Sequence, residues 1–416
     1  MAQPTSRVRR GRRVLAIAGA VAVSITIAYL VAIASTGSSQ LARAIVWLEA
    51  DVDDIDRFPS RAIPASSASE LPACIDDSAG QAFLRLDSVV TDDGSLEEML
   101  SRTESSALLV LRQGVLVHEW YGEGSGRESL HTSFSMAKSF LSTLVGIAIA
   151  EGHISSVDDP VTDYIPELLD RDPRFGAITI ENLLTMSSGI EYIELGTPWS
   201  DDATTYYSPD LRAAALAVVI ADEPGETWLY NNYNPLLVGL VLERATGQSV
   251  SEFMSRALWG PLGAEAAASW SLDSDASGFE KMESGINARA IDYARFGLMV
   301  ANGGVVDGTQ VVPAQWLHDA TAVDATSDPA EFYQYFWWVY PHDSSSADFA
   351  ARGNFGQYIY VDPEDDIVIV RLGRTTGDVD WPALLNAFAH EIGDADPAAS
   401  TGSCSSAADD QAANVG

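Results

Sequence analysis

Runs of aliphatic and β-branched residues, broken by short polar turns, occur as two pairs far apart in the chain. Residues 108–111 and 115–121 flank Arg112-Gln113-Gly114, and residues 358–361 and 367–372 flank Pro363-Glu364-Asp365-Asp366, so each pair predicts a hairpin. Between them the apolar positions take helical spacing over 135–151, 180–186, 211–221, 235–246, 251–258 and 290–301. A further helix is predicted over 381–392. Hairpins from the two ends imply one antiparallel sheet formed from both chain ends and flanked by helices. The helices between them imply a mainly helical inserted half, so the fold class is α+β. Residues 37–72, rich in Ser, Ala, Pro and Asp, read as a linker, and the stretch after about Asp394 has no core pattern.

Near the start, residues 14–34 contain no charged side chain and are long enough at helical rise to cross a bilayer. Arg7, Arg9, Arg10, Arg12 and Arg13 precede them, which sets the N-terminus inside. Ala32-Ile33-Ala34 also resembles a signal-peptide cleavage site, so anchor and cleaved leader are both open, and either puts the bulk of the chain outside the cytoplasm. The resulting division is a basic cytoplasmic N-terminus (1–13), a transmembrane anchor or signal segment (14–35), a linker (36–72), the main folded domain (73–394) and an acidic tail without a core (395–416).

At 416 residues and 47% hydrophobic, the chain can bury a large core. Its formal charge of −35 repels phosphate backbones, so nucleic acid is excluded as a partner class. His118, His131, His153, His318, His342 and His390 are scattered and show no metal-ligand spacing, so no metal and no cofactor are expected. Cys74 and Cys404 flank the predicted domain; they either staple its entry and exit or are unrelated.

The chain has two lysines, and one stands three residues after a serine in Ser135-Met136-Ala137-Lys138. On a helix these positions share a face, so hydroxyl and amine can meet. A helix starting near Ser135 also presents free N–H groups and its positive dipole end, which can stabilise an oxyanion. The following residues are apolar on nearly every side. Lys138 therefore sits where burial disfavours its charge, which makes it the kind of base that a serine nucleophile requires. A Ser-x-x-Lys spacing alone arises by chance often enough to be weak.

Downstream, Pro224-Gly225-Glu226-Thr227-Trp228-Leu229-Tyr230-Asn231-Asn232 leads into a helix ending at Thr246-Gly247. With Ser135 and Lys138 in order before it, the sequence resembles the serine β-lactamases and penicillin-binding proteins. The likeness is to the class C-like branch that includes esterases, D-amino-acid peptidases and 6-aminohexanoate-dimer hydrolases. Phe134 to Phe140, Asp292-Tyr293-Ala294-Arg295-Phe296-Gly297 and Gly353 to Gln357 carry further similarity to the last of these. The resemblance implies a β-lactamase/transpeptidase-like fold and an acyl-enzyme mechanism on a small ester or linear amide. Ser135 would be the nucleophile, Lys138 and Tyr230 its acid/base partners, and Asn232 a substrate-binding residue. It also implies a third motif, Lys-Thr-Gly or His-Thr-Gly, on the strand bordering the site. That motif is placed at Asn354-Phe355-Gly356, with Asn354 and Gly356 binding substrate and the Gln357 N–H joining that of Ser135 as oxyanion hole. Neutral Asn354 in place of the cation predicts poor β-lactam turnover, and Arg352 leaves compensation open.

Trp199, Asp201, Asp202, Tyr206 and Tyr207 form an aromatic and acidic stretch, either a pocket border or a solvated loop. A Ser-His-Asp hydrolase is disfavoured by the lack of a Gly-x-Ser-x-Gly elbow. His131, four residues before Ser135, reads as a capping or surface histidine. A β-lactamase, a D-amino-acid peptidase and a non-catalytic envelope-binding protein remain the alternatives.

Overall fold

The computed structural model describes residues 17–21, 23, 24, 26, 27, 29, 30, 39–66, 69–86, 91, 93–323, 326, 329–341 and 347–394. The chain divides into two compact units, Met1–Ala50 with Ile193–Pro209, and Asp51–Tyr192 with Asp210–Gly416.

In the smaller unit the helix Gln40–Trp47 lies against the helix Asp201–Tyr207. Gln40 Nε2 donates to Thr204 Oγ1 at 2.8 Å, Arg43 Nη1 to the Tyr207 carbonyl at 3.2 Å, and the Tyr207 hydroxyl to the Leu48 carbonyl at 3.1 Å. The aromatic and acidic stretch is thus a packed helix, with Trp199 exposed before it. Among the described residues no helix is long and apolar enough to cross a membrane. Ile17 to Val21 are helical, while much of the predicted 14–34 segment, the five arginines before it and Cys404 lie outside the described residues. Cys74 is disulfide-bonded.

The larger unit contains thirteen strands among its described residues: β1 (Ser60–Ile63), β2 (Ser105–Arg112), β3 (Val115–Tyr121), β4 (Leu130–Thr132), β5 (Ala268–Ser271), β6 (Ile286–Arg289), β7 (Val305–Val306), β8 (Thr309–Gln310), β9 (Tyr333–Gln334), β10 (Trp337–Pro341), β11 (Ala347–Gly353), β12 (Gln357–Asp362) and β13 (Ile367–Gly373). Seven form an antiparallel sheet in the order β3-β2-β13-β12-β11-β10-β9. Both predicted hairpins are in it and meet where Leu109 faces Val370, so the sheet is closed by the two ends of the chain. Alternate residues of its central strands feed different cores. Leu109, Leu111, Ala351, Ile359 and Val370 pack toward the helical half. Leu108, Val110, Ala350, Tyr358 and Ile369 pack toward a C-terminal helix. A sheet covered on both faces gives near-continuous hydrophobic strands, as in β13.

Four helices set the frame: α1 (Met136–Ala150), α2 (Tyr233–Thr246), α3 (Ala290–Ala301) and α4 (Trp381–Gly393). α1 is buried from Met136 to Ala148 and packs on α2 and β11, while α4 closes the opposite face of the sheet.

The expected linker is not structureless. Residues Ser60–Ile63 form β1 and pair with β5, with Ser60 opposite Ser271 and Ile63 opposite Ala268. Ile63 alone in this strand is fully buried, too little pattern for a short strand to be read from sequence. β1 belongs to a second sheet, in the order β1-β5-β6-β4. His131 lies in β4, opposite Ala288. It is a half-buried strand residue, not a cap, and desolvation of its ring pushes it down to about 4.

Candidate active site

β4 ends at Thr132, and the chain turns sharply into α1. Phe134, buried, takes φ +43°, a left-handed conformation that aromatic residues rarely adopt and that concentrates at functional sites. Ser133 Oγ accepts from the Ile286 N–H at 3.1 Å, and the Ser133 N–H donates to the Ile286 carbonyl at 2.7 Å, so the turn is pinned to β6. Ser135 follows as the first residue of the helical path, its hydroxyl unused for capping. The Ser135 N–H, at the open end of α1, makes no hydrogen bond to another described residue.

One turn on, Lys138 is 1% exposed, and its Nζ lies 2.8 Å from Ser135 Oγ. The same amine donates to the Glu283 carbonyl at 2.9 Å and sits 5.0 Å from the centre of the Tyr230 ring. Tyr230 meets the amine with its ring face. The ring is held by Trp338, stacked at 6.0 Å, and by Tyr333, edge-on at 6.0 Å. Asn232 stands at the N-terminus of α2 with Nδ2 donating to the Tyr192 hydroxyl at 3.0 Å. Its Oδ1 is buried without a hydrogen-bond partner, an acceptor available to an amine or a substrate N–H.

Sequence reasoning did not find Glu283. Its carbonyl carries one end of Lys138, while its carboxylate pairs with the chain's other lysine, Lys281, at 3.0 Å, both side chains buried. Ser284 Oγ also donates to that carboxylate at 2.9 Å. Trp270 Nε1 donates to the Lys281 and Ser284 carbonyls, each at 2.9 Å, and so fixes the turn. A backbone acceptor leaves no residue-type signal, so only the fold could reveal it.

The strand bordering the site requires a correction. Gly353, the last residue of β11, lies against the nucleophile turn: a Cβ there would be 2.2 Å from the Ser133 carbonyl oxygen and 3.1 Å from Phe134 Cβ. Gly356 does not meet this turn. A Cβ on it would collide with Arg371 Nη1, which donates to the Phe355 and Gly356 carbonyls at 2.7 and 2.8 Å. The Gln357 N–H is taken by the Asn354 carbonyl, and its side chain bonds the Gly373 backbone in both directions. Neither Gly356 nor Gln357 is therefore offered to Ser135. The glycine that meets the Ser133 turn is three residues earlier, in Ala351-Arg352-Gly353, and the first N–H after it is that of exposed Asn354. Phe355, at φ +60°, packs its ring 5.1 Å from that of Phe134 and couples the two turns.

Arg352 is turned to the other face of β11 from Gly353 and Ala351 by strand alternation. Its guanidinium lies over Trp338 at 4.5 Å and Tyr358 at 5.5 Å, and donates to the Tyr340 hydroxyl at 3.4 Å.

The Beta-lactamase family model matches residues 95–391. The chain belongs to the beta-lactamase family. Within it, the chain is 29% identical to a 6-aminohexanoate-dimer hydrolase from Paenarthrobacter ureafaciens over 73% of this chain and 79% of the relative. Among solved structures it is similar to a candidate 6-aminohexanoate-dimer hydrolase from Bacillus anthracis, with TM-score 0.70 and 23% identity over 81% of this chain and 90% of that one. A class C beta-lactamase bound to cefoxitin superposes with TM-score 0.54 at 18% identity, covering 71% of this chain and 95% of that one. The beta-lactamase fold, with its antiparallel sheet and helices, is therefore that of this chain, and hydrolysis is the chemistry of its family.

Proposed function

We propose that this beta-lactamase-family chain is an extracytoplasmic serine hydrolase that cleaves small esters or linear amides through an acyl-enzyme. The observation carrying the reading is the 2.8 Å contact between Lys138 Nζ and Ser135 Oγ at the mouth of a buried helix. Ser135 Oγ bonds to the substrate carbonyl carbon. Its proton passes to the Lys138–Tyr230 pair, which returns it to the leaving alcohol or amine as the acyl bond breaks. The Ser135 and Asn354 N–H groups receive the oxyanion, with Asn354 replacing Gln357 in that role. Water then attacks the acyl carbon by the same proton route and frees Ser135. Asn232 Oδ1 orients the substrate or the amine.

A domain over residues 73–394, extended by β1, carries this chemistry. The arginines and uncharged stretch at the N-terminus support export, with the 14–34 segment either retained in the membrane or removed. Partition of the full chain with membranes after carbonate wash, or soluble material starting near Ser35, separates these.

The chemistry is tested with a fluorophosphonate probe and peptide mass spectrometry. The label is expected on Ser135, with none in Ser135→Ala. Labelling of another serine in the wild-type protein would sink the assignment.

A further inference from the structure

At the end of the β11–β12 hairpin away from Gly353, two carboxylates are buried side by side. Asp348 and Asp362 are both 0% exposed and are the next residues beyond the Phe349–Val361 pair of the ladder. Like charges directly opposed across strands are destabilising, and burial magnifies the cost. His390 of α4 reaches the same point, so that one donor atom from each of Asp348, Asp362 and His390 lies within 4.8 Å of the others. Asp365 stands beside them, its Oδ2 3.1 Å from His390 Nδ1.

The hydrogen bonds leave one demand unmet. Asp362 Oδ1 accepts from the Glu364 and Asp365 N–H groups at 3.0 and 3.1 Å. Asp362 Oδ2 is buried with no hydrogen-bond partner, and His390 Nδ1 lies 3.7 Å from it. Asp348 Oδ2 accepts from the Tyr360 hydroxyl and from Asn386 Nδ2, the latter at 2.9 Å, and Asn386 Nδ2 is also 3.2 Å from His390 Nε2. No lysine or arginine pairs with Asp362 among the described residues.

We infer that Asp348, Asp362 and His390 form a site for one divalent cation of mixed nitrogen and oxygen preference, of the zinc or manganese type. The ion bonds Asp362 Oδ2, a carboxylate oxygen of Asp348 and His390 Nδ1; the Nδ1 proton goes to solvent, Nε2 carries the remaining ring proton, and the Asn386 amide turns so that its oxygen accepts it. Asp365 or water completes its shell. Asn386 and Tyr360 orient the ligands from behind, as such outer partners do. The three ligands come from β11, β12 and α4, so the ion ties the C-terminal helix to the sheet. It lies about 17 Å along β11 from Gly353, at roughly 3.3 Å per residue, and takes no part in the chemistry at Ser135. Sequence spacing could not show it, because the two aspartates are 14 positions apart and Asp362 and His390 are 28 positions apart.

The test uses the full chain, stripped with chelator and dialysed, titrated calorimetrically with Zn2+ and, separately, followed by electron spin resonance with Mn2+. One equivalent is expected to bind and to raise the melting temperature. Affinity should fall at least tenfold in Asp362→Asn with ester turnover unchanged. A nitrogen hyperfine coupling to bound Mn2+ should be present in the wild type and lost in His390→Gln, which serves if Asp362→Asn fails to fold. No binding to wild type, wild-type affinity retained in both variants, or preference for Ca2+ or Mg2+ over Zn2+ and Mn2+ would overturn the site.

Discussion

Gly353 and Ser133 stand so close that the glycine has no room for a side chain: a Cβ would lie 2.2 Å from the Ser133 carbonyl oxygen. This contact sets the spacing between the end of β11 and the turn that presents Ser135. Because the obstructing atom is backbone on a turn already holding Phe134 at φ +43°, it cannot swing aside. Gly353→Ala should therefore push β11 away from α1. We expect turnover of p-nitrophenyl esters to fall at least a hundredfold, with a stability loss of about 1–3 kcal/mol, in the range for overpacking. Steady-state kinetics with urea denaturation checks it; unchanged kcat would refute the assigned contact. Gly356→Ala, colliding with Arg371 instead, should lower stability more than it lowers the ratio of kcat to bound label.

Lys281 and Glu283 form the buried pair beneath the turn that receives Lys138. Lys281→Met leaves a buried carboxylate whose Oε2 already lacks a partner. Removal of one member of such a pair costs about 3–5 kcal/mol. Lys281→Met combined with Glu283→Gln removes both charges and should recover more than half of that loss in chemical denaturation. A double variant no more stable than Lys281→Met would show that the pair is not the stabilising unit.

His131 supplies a pH dependence. Burial holds it at about 4, against 6.5 when unfolded, and its Nε2 has no partner. A histidine buried neutral binds its proton more readily in the unfolded chain, so its effect is absent above about pH 6.5. Stability is lost as pH falls from there toward 4, by roughly 3 kcal/mol in all. Denaturation midpoints of wild type and His131→Asn at pH 7.5, 6 and 5 should converge as pH falls, because the variant lacks this term. Parallel profiles would show that His131 does not carry it.

Much of this was legible in the chain. The contact of Lys138 with Ser135 was legible because it is local: two residues on one helix face need only helical periodicity to meet. The two hairpins and α1, α2, α3 and α4 were found because their apolar patterns extend over about three to four turns or a full strand pair. β1 escaped because only Ile63 of its four residues is fully buried. The third motif was misplaced because two glycines stand three apart, and sequence alone has no means of telling which one faces the Ser133 carbonyl and which faces Arg371. The Glu283 carbonyl has no residue signature at all. What failed was the part that depends on which backbone meets which.

The substrate prediction follows from that corrected position. With Gly353 as the motif glycine, the residue two before it on the same face of β11 is Ala351, fully buried against the helical core. Family members that bind a carboxylate here would use a cation, and this chain has a methyl group. A charge-assisted hydrogen bond contributes on the order of 1.5–3 kcal/mol, so its loss lowers binding of a β-lactam carboxylate by roughly ten- to more than a hundredfold. Arg352 is the adjacent cation, but it is spent on Trp338, Tyr358 and Tyr340 across the strand. Neutral esters and linear amides need no such clamp. We therefore expect kcat/KM for p-nitrophenyl esters to exceed that for nitrocefin by at least tenfold in the wild-type chain. Arg352→Met removes the guanidinium and loosens Trp338, which stacks on Tyr230, so both activities should drop. Their ratio should hold, because both substrates depend on Tyr230 alike and neither on the guanidinium. If nitrocefin turnover falls tenfold further than ester turnover in Arg352→Met, Arg352 reaches the substrate carboxylate and the preference for neutral substrates is wrong.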